Sequence, residues 1–576
     1  MASSVALPSS KAARAFRWPS AANISMWALT IFVAFLVLYP LSMLFWGSIA
    51  GVPPGAPAQP SLDGWVEAYS DGATYRAFGN TLGLSVLRTA LSVGLAIFFA
   101  WVITRTDVPM KRLVELMIIA PFAAPTLLMT ISWAMLASPK AGLLNQLWKS
   151  TFNVEQGPFN VYSYGGIIWV GVIQFVSIKV LLLIPAFRAM DATLEESSTM
   201  SGANRLKTFF HVTMPLMMPA ILGVTILSFI RYMESFELEL FLGQPAGIYV
   251  FTTQIYTLLH DFPAHYPPAM ALSVSLLVLT FVLALIQARM LGNRRFTTVS
   301  GKSFRTQPSR LGPLRWVVFG FCTLFFIISF ALPFGALLLN SVSPASGVYS
   351  PDKWTFANYQ QVFATSKMVN MLKNTLILGL GSATLGMLLA SVIAYVIVRT
   401  DFGGKKLLDM LSWVPWTVPG IVLSVAMLWA YISLPGPIQL YGTMGILIVA
   451  VVTTTLPLAV RLMIGTQVQI AKELEESSRV HGANWFQTFF YIMLGLIKRG
   501  FLAGWVIVFV DAVRNLGVVV LLFSAASMPI SVMIFVLFSE GQTRTVSAMA
   551  VMLLLFIIGL LAVQMKLTED RQAATH

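Results

Sequence analysis

The chain contains a long stretch, from Arg17 to Asp63, in which no charged side chain occurs, and residues 26–47 within it are strongly apolar. A helix needs about 20 mostly apolar residues to cross a membrane. The stretch is too long for a signal-peptide core and has no clear cleavage site, so we expect a retained first transmembrane helix. Only 10% of all residues are charged, whereas a soluble domain has roughly 25%. This excludes an ordinary soluble enzyme, and the abundance of apolar side chains excludes intrinsic disorder.

Apolar runs of similar length recur along the chain and predict an all-α membrane protein with about twelve transmembrane helices. The two longest runs, 212–242 and 492–524, leave room for a helix followed by a re-entrant or outer segment. The twelve predicted spans are 26–47, 80–103, 113–136, 165–187, 212–242, 268–288, 316–340, 374–398, 407–433, 442–465, 492–524 and 546–565.

The distribution of basic residues orients these helices. An even number of crossings places both termini on one side of the membrane. The tails and loops assigned to that side hold 26 of the 37 lysine and arginine residues, whereas the loops on the other side hold seven. Basic residues concentrate in the cytoplasm, so we expect both termini there. The net charge of +14 is then explained by topology and by anionic lipid, and no nucleic acid is expected as a partner.

The sequence also contains an internal repeat. Residues 195–210 read EESSTMSGANRLKTFF, and residues 475–490 read EESSRVHGANWFQTFF, at an offset of 280. Earlier in each half the offset is 294, as the sequences Asn-Thr-Leu (80–82 and 374–376) and Arg-Thr-Asp (105–107 and 399–401) demonstrate. Six helices per half make the two halves parallel, related by an axis along the membrane normal. We expect the substrate path to follow this pseudo-twofold axis.

These patterns predict five segments. They are an N-terminal cytoplasmic tail (1–24), a first six-helix repeat (25–288), a basic cytoplasmic linker (289–315), a second six-helix repeat (316–566) and a C-terminal cytoplasmic tail (567–576).

The doubled segment is polar and lies on the basic face. We expect a short helix over Thr193–Ser201, with Glu195 and Glu196 in its first turn near the positive end of the helix dipole. Gly202 then permits a left-handed turn. One such copy is compatible with an ordinary turn between two spans, but two copies indicate the same docking role performed twice.

The doubled segment resembles a motif of the membrane permease subunits of bacterial ATP-binding-cassette importers. That motif reads E-A-A, three residues, G, nine residues, then I-x-L-P. Residues 196–198, Gly202 and 212–215 fit this spacing in the first half. Residues 476–478, Gly482 and 492–494 fit it in the second half, where Gly495 replaces the proline. Serine replaces both alanines of the motif in each copy.

The resemblance implies the fold of a type I importer permease, here as a fused double permease most similar to the ferric-iron branch. It implies a bacterial inner-membrane location, two copies of a cytoplasmic ATPase that holds ATP and magnesium, and a periplasmic substrate-binding protein. The expected cargo is ferric iron, with phosphonate, thiamine or polyamine as alternatives. The residues expected to contact the ATPase are Glu195, Glu196, Ser197, Ser198, Gly202, Ala203, Asn204, Glu475, Glu476, Ser477, Ser478, Gly482, Ala483 and Asn484.

No catalytic or nucleotide site is expected in the chain itself. A phosphate-binding loop needs a glycine five positions before Gly301, and that position is Phe296. No metal site is predicted either, since His260 and His265 lack the i, i+4 spacing of a helical ligand pair. The single cysteine, Cys322, excludes a disulfide framework. We therefore expect a transport subunit without resident cofactors.

Charged residues inside predicted spans are costly and often functional. Those assigned to a translocation path or gate are Arg231, Glu234, Glu237, Asp511 and Arg514. The offset of 280 matches Arg231 with Asp511 and Glu234 with Arg514, so opposite charges would face each other across the axis. Each set could equally form local i, i+3 pairs that fix helix packing.

Two other charged residues also fall within predicted spans. Lys179 is expected to snorkel to the inner surface, and Arg88 has no assigned role.

Two questions stay open at this stage. The aromatic residues of the long outer loops 53–79 and 341–371 would suit either docking of a binding protein or anchoring at the membrane interface. A secondary transporter driven by an ion gradient is the alternative function from another class, and its ion site would need Glu234, Glu237 and Asp511.

Overall fold

The computed structural model describes residues 21–57, 59–191, 193–292, 310–345, 351–434, 439–471, 473–483, 487–488, 491 and 494–569. These residues form helices and connecting loops, with no β-strand among them. The helices of the first half are α1 (Ala21–Ile49), α2 (Asp63–Ser70), α3 (Gly72–Arg105), α4 (Lys111–Ile119), α5 (Thr126–Ala137), α6 (Leu143–Phe152), α7 (Tyr164–Ala189), α8 (Thr193–Met200), α9 (Arg205–Thr208), α10 (Met214–Met233), α11 (Glu237–Leu242), α12 (Phe251–His260) and α13 (Tyr266–Gly292). Those described in the second half are α14 (Leu314–Phe326), α15 (Leu332–Val342), α16 (Ala357–Ala364), α17 (Ser366–Arg399), α18 (Lys405–Trp413), α19 (Gly420–Ile432), α20 (Met444–Val468), α21 (Glu473–Val480), α22 (Leu494–Arg514), α23 (Ile530–Ser539) and α24 (Thr543–Glu569).

The helices confirm the internal repeat and both of its offsets. Helices α3 and α17 each have 34 residues and begin 294 positions apart. Helices α8 and α21 each have eight residues and begin 280 positions apart. The first half contains α6 in its longer connection between α5 and α7, which explains why the offset changes there. The predicted segment boundaries stay predictions, and much of the linker lies outside the described residues.

The spans agree with the predicted all-helical membrane fold. Within the described residues, nine helices are long and apolar enough to cross a membrane, and two bent helix pairs pass the same test. The remaining predicted span corresponds to α22, which carries Lys498, Arg499, Asp511 and Arg514. It occupies the position of α10 in the repeat.

The third predicted span of each half, at 113–136 and at 407–433, is present as two helices separated by a short break. We had expected one continuous helix at each of these places. The two parts meet at angles of 96° and 110°. The backbone is extended at Pro125 (ψ 138°) and Pro419 (ψ 139°). Proline has no N–H to donate and disfavours a helical conformation in the residue before it, so the helix ends and restarts in another direction.

The fifth span of each half also ends early, at Met233 and Arg514, as the excess length of the apolar runs allowed. A short segment follows and leads to α12 or α23. The doubled Asn-Thr sequence fixes the start of these two helices. Its contacts are Asn80 Nδ2 to the Tyr249 carbonyl (2.8 Å), the Phe251 N–H to Thr81 Oγ1 (2.9 Å), Asn374 Nδ2 to the Met528 carbonyl (3.1 Å) and the Ile530 N–H to Thr375 Oγ1 (2.7 Å).

The first helix of each repeat crosses to the other repeat. Helix α1 packs between α13 of its own repeat and α18 and α19 of the second, while α14 and α15 pack against α4 and α5 of the first. Tyr39 donates to the Ala430 carbonyl at 3.2 Å. A Cβ on Gly47 would lie 3.0 Å from the Trp429 ring, so glycine lets α1 approach that indole closely. The two repeats are therefore interlocked.

Candidate functional site

The first doubled segment is a capped helix with a left-handed turn at its end. Asp191 accepts a hydrogen bond from the Thr193 N–H at 3.0 Å, and this contact, together with one from the Thr193 hydroxyl, lowers the pKa of the Asp191 carboxyl. Gly202 has φ +83°. The Gly202 N–H reaches the Thr199 carbonyl at 3.0 Å and the Ala203 N–H reaches the Ser198 carbonyl at 3.1 Å, the two bonds of a Schellman cap. The predicted helix and turn are confirmed.

The second doubled segment repeats this geometry. Gly482 has φ +84°, and the Ala483 N–H reaches the Ser478 carbonyl at 3.2 Å. In the first segment a hydrogen bond joins the hydroxyls of Ser198 and Thr208 across the turn at 2.9 Å. The second segment has the equivalent bond between Ser478 and Thr488 at 3.1 Å. Asn484 and the side chains of Glu475 and Glu476 lie outside the described residues.

The first segment is tied to two membrane helices through Glu195. One carboxylate oxygen accepts from the Thr213 hydroxyl at 2.5 Å, and the other lies 3.6 Å from Arg105 Nη1. Thr213 is at the start of α10 and Arg105 is the last residue of α3. Glu195 is therefore a structural link, whereas Glu196 is exposed and available to a partner.

Sequence analysis missed the role of Arg105 and Arg399. Arg105 Nη2 donates to the carbonyls of Phe187 and Met190 at 2.7 and 2.6 Å. Arg399 Nη2 donates to the carbonyls of the two matching residues, Gln467 and Ile470, at 2.5 Å each. Each arginine thus joins the end of one long helix to the end of another, directly before the doubled segment. The duplicated Arg-Thr-Asp sequence was the signal that could have identified them.

Both doubled segments present apolar side chains to solvent at matching positions. Leu194 and Leu474 are 46% and 47% exposed, and Met200 and Val480 are 89% and 84% exposed. Large exposed apolar side chains on a polar, capped helix are typical of a protein contact surface. Two equivalent surfaces of this kind fit two copies of one partner.

The charges predicted to line a path pair within their own helices. Arg231 binds Glu234 at 2.9 Å and Arg514 binds Asp511 at 3.1 Å, both with i, i+3 spacing. Arg231 also lies over the ring of Trp416, 5.0 Å from its centroid, and Trp416 belongs to the second repeat. Among the described residues, the expected direct pairing of Arg231 with Asp511 across the axis does not occur, because each charge has a nearer partner one helical turn away.

The helix breaks of the two repeats nevertheless meet. The Glu237 carboxyl of the first repeat faces the backbone of Leu516 and Gly517 and lies within electrostatic reach of Arg514. A Cβ on Gly517 would be 3.8 Å from the Phe236 ring. The residues assigned to a path or gate therefore lie around the contact between the two breaks.

A second charged cluster is buried in the first repeat and was not predicted. Arg88 and Glu239 form an ion pair at 2.6 Å, with side chains 1% and 0% exposed. Lys179 is 3% exposed, and it donates to the Phe175 carbonyl at 3.0 Å and to the Tyr232 hydroxyl at 3.2 Å. The expectation that Lys179 snorkels was wrong, because these acceptors hold its ammonium inside the helix bundle.

The outer loops form small helices that pack on the repeats. Tyr69 of α2 donates to Ser275 at 2.6 Å and stacks with Trp65. Tyr359 of α16 donates to Ser341 at 2.8 Å. These contacts hold α2 and α16 against the two repeats, and docking of a binding protein on these loops stays a prediction.

Comparison with known proteins gives a match over most of the chain. Residues 92–294 and 382–567 each match the family described as binding-protein-dependent transport system inner membrane component. The two matches fall in the two repeats, and each contains one doubled segment.

Individual relatives are more distant. The chain is 27% identical to a putative ferric transport system permease protein of Haemophilus influenzae, over 87% of this chain and 78% of that protein. It is 28% identical to a ferric transport system permease protein of Actinobacillus pleuropneumoniae, over 86% of this chain and 71% of that protein. A solved bacterial alginate ABC transporter, in complex with a pentasaccharide-bound periplasmic protein, is similar at 20% identity and a TM-score of 0.39, covering 46% of this chain and 92% of that one.

Proposed function

The chain belongs to the family of binding-protein-dependent transport system inner membrane components, and on that premise we propose that it is the transmembrane permease subunit of an ATP-driven ferric iron importer that takes its cargo from a periplasmic binding protein. It is a multi-pass inner-membrane transport component, and both halves of its pathway are present in one polypeptide. The observation that carries the proposal is the duplicated, capped segment at α8 and α21. Family membership favours this function over transport driven by an ion gradient.

The partner that we propose for these segments is a cytoplasmic ATPase, bound as two copies. Each segment presents a leucine at one end and an exposed apolar residue at the other, and the first also presents the exposed Glu196. ATP and magnesium would be held by the ATPase. Both termini, the linker and both doubled segments would then lie in the cytoplasm, as the basic residues predict.

Transmission of force follows from the contacts at these segments. When the ATPase closes, it would pull α8 and α21 towards each other. Glu195 would pass the movement to α3 through Arg105 and to α10 through Thr213. The helix ends clamped by Arg105 and Arg399 would move as units, because charge-assisted bonds to two carbonyls resist separation. The movement would reach the breaks around Glu234, Glu237, Asp511 and Arg514.

Ferric iron as cargo is supported by the names of the two relatives that match most of the chain. A hard cation prefers oxygen ligands, and the carboxylates of Glu234, Glu237 and Asp511 lie near the contact between the two helix breaks. Within the described residues no group of three or more possible metal ligands comes together. Weak, arginine-balanced contacts suit a path that must release its cargo.

Reconstitution tests the proposal. The chain is placed in proteoliposomes with the proposed ATPase and a periplasmic ferric-iron-binding protein of the same organism, and uptake of radioactive ferric iron is measured with ATP present. We expect ATP-dependent uptake that requires the binding protein and is lost in the Glu196→Gln, Glu476→Gln double variant. Gly465→Ala, a change on an exposed helix face, is the matched control. Uptake without ATP, or uptake of phosphonate, thiamine or polyamine in place of iron, would contradict the proposal.

A further inference from the structure

The buried ion pair of the first repeat joins two parts of the bundle that no backbone hydrogen bond connects. Arg88 is on α3, and Glu239 is on α11, just after the helix break. Arg88 Nε also donates to the Leu84 carbonyl at 3.2 Å, and Glu239 accepts from the Ser235 hydroxyl at 2.7 Å. The segment after the break is therefore held to α3 by charged groups that have lost their water.

The second repeat has no counterpart of this pair. Ser382 occupies the position of Arg88, and Val519 occupies the position of Glu239, and both are fully buried. The side-chain volume at a neighbouring position differs in the opposite sense. A Cβ on Gly171 would lie 2.6 Å from Arg88 Cδ, so glycine makes room for the arginine, whereas the matching position of the second repeat is Val451, with 0% exposure. Each repeat is packed consistently, the first around a pair of charged side chains and the second around uncharged side chains.

The backbone shows that these positions are truly equivalent. The Leu240 N–H reaches the Phe236 carbonyl at 2.9 Å in the first repeat, and the Val520 N–H reaches the Leu516 carbonyl at 2.9 Å in the second. In the first repeat the residues form the helix α11, while residues 517–522 of the second form turns. The two segments thus follow the same course. The first is a regular helix fixed by an ion pair, whereas the second forms turns held by hydrogen bonds between uncharged groups, such as that from the Ser424 hydroxyl to the Val518 carbonyl at 2.5 Å.

We propose that the Arg88–Glu239 pair makes the two segments that follow the helix breaks, residues 234–246 and 514–526, unequal in mobility, and that these two segments together form a gate. The pair fixes residues 234–246 to the first repeat, and the matching residues 514–526 of the second repeat supply the movement when the pathway opens. The two segments touch at Phe236 and Gly517, so displacement of one is enough to part them. Arg88 and Glu239 act as positioning residues. The role of this movement in opening a transport pathway rests on the proposed function, whereas the difference in mobility between the two segments does not.

The test uses matched spin labels on the purified full-length chain in nanodiscs, without ATPase or substrate. Cys322 is first replaced by alanine. One label pair is placed at Arg76 and Ala246, and the other at Asn370 and Ala526, which are the corresponding exposed positions of the second repeat. Pulsed electron paramagnetic resonance gives a distance distribution for each pair. We expect a narrow distribution in the first repeat and a broader one in the second.

Variants separate positioning from mere stability. The Arg88→Met, Glu239→Met chain keeps the volume of both side chains while removing both charges, and it should broaden only the first distribution. The Arg88→Glu, Glu239→Arg chain restores an ion pair and should narrow that distribution again. Equal widths in the unmodified chain would overturn the proposal, even if the double variants fold poorly. An unchanged first distribution in a folded double methionine chain would also overturn it.

The outcome is separable from that of the proposed function. Failure of ATP-dependent iron uptake with asymmetric distributions would leave the asymmetric segment in place and reject the importer. Symmetric distributions with intact uptake would reject the asymmetry alone.

Discussion

Replacing Gly202 with alanine should open the cap of α8 without any steric clash. Gly202 adopts φ +83°, and a Cβ built there meets no atom within 4 Å. The only penalty is conformational, since a left-handed conformation costs a non-glycine residue roughly 1–2 kcal/mol. A penalty of this size changes the ratio of closed to open cap by about 5- to 30-fold.

Hydrogen exchange measures this change directly on the purified chain. The Ala203 amide is bonded to the Ser198 carbonyl at 3.1 Å only while the turn is formed. Its exchange should therefore accelerate about 5- to 30-fold in Gly202→Ala, and by a smaller factor in Gly202→Asn, because asparagine tolerates the left-handed region. Gly482→Ala should have the same effect at Ala483, whose turn has φ +84° at Gly482.

Gly465→Ala is the control, since Gly465 is exposed on α20, the helix that precedes α21, has no positive φ and also has open space around it. It should leave exchange at Ala203 unchanged. Protection of Ala203 in Gly202→Ala that equals the unmodified chain would refute the cap assignment. The affinity of the ATPase that we propose as partner should fall by no more than the factor seen in exchange, since only the competent conformation binds.

Three further predictions concern other contacts. Arg105→Gln removes two charge-assisted bonds to carbonyls and should lower the free energy of unfolding by about 3–5 kcal/mol, seen as a lower thermal midpoint; Arg105→Lys should retain part of it, and an unchanged midpoint in Arg105→Gln would contradict the clamp. Thr375→Val leaves the buried Ile530 N–H without its acceptor and should cost about 1–3 kcal/mol, with faster exchange of that amide; normal protection at Ile530 would count against the contact. A double-mutant cycle of Arg231→Met and Trp416→Leu should give a coupling energy of about 0.5–1 kcal/mol for the cation–π contact, and a value near zero would exclude it.

Much of the fold could be predicted because the signals are local or duplicated. The absence of charge from Arg17 to Asp63 is enough to place α1, and similar runs place the other crossings. The helix and turn of the doubled segment were predicted correctly because Gly202 and Gly482 adopt a conformation that glycine favours. Hydropathy gave no indication of the break in the third spans. Pro125 and Pro419 are themselves apolar, so they change the direction of the helix without interrupting the apolar run.

The buried cluster was beyond prediction for a different reason. Arg88 and Glu239 are far apart in sequence, and comparison of the repeats gives Ser382 and Val519 at the matching positions. A feature present in one repeat alone leaves no signal in a search for duplication. The position of Lys179 could not be predicted either, because one of its two acceptors is the hydroxyl of Tyr232, on a helix that only the fold brings near.

The exchange of first helices has a consequence for the covalent connection itself. Helix α1 packs against the second repeat, and α14 and α15 pack against the first. The two halves are therefore joined by side-chain contacts as well as by the peptide chain. The start of the second repeat is also bound directly to the first, since the Leu311 N–H donates a hydrogen bond to the Asp107 carboxylate at 2.6 Å. A protease that cut between residues 292 and 310 would yield two fragments that remain together, whereas either fragment made alone would expose the groove that its partner's leading helix fills.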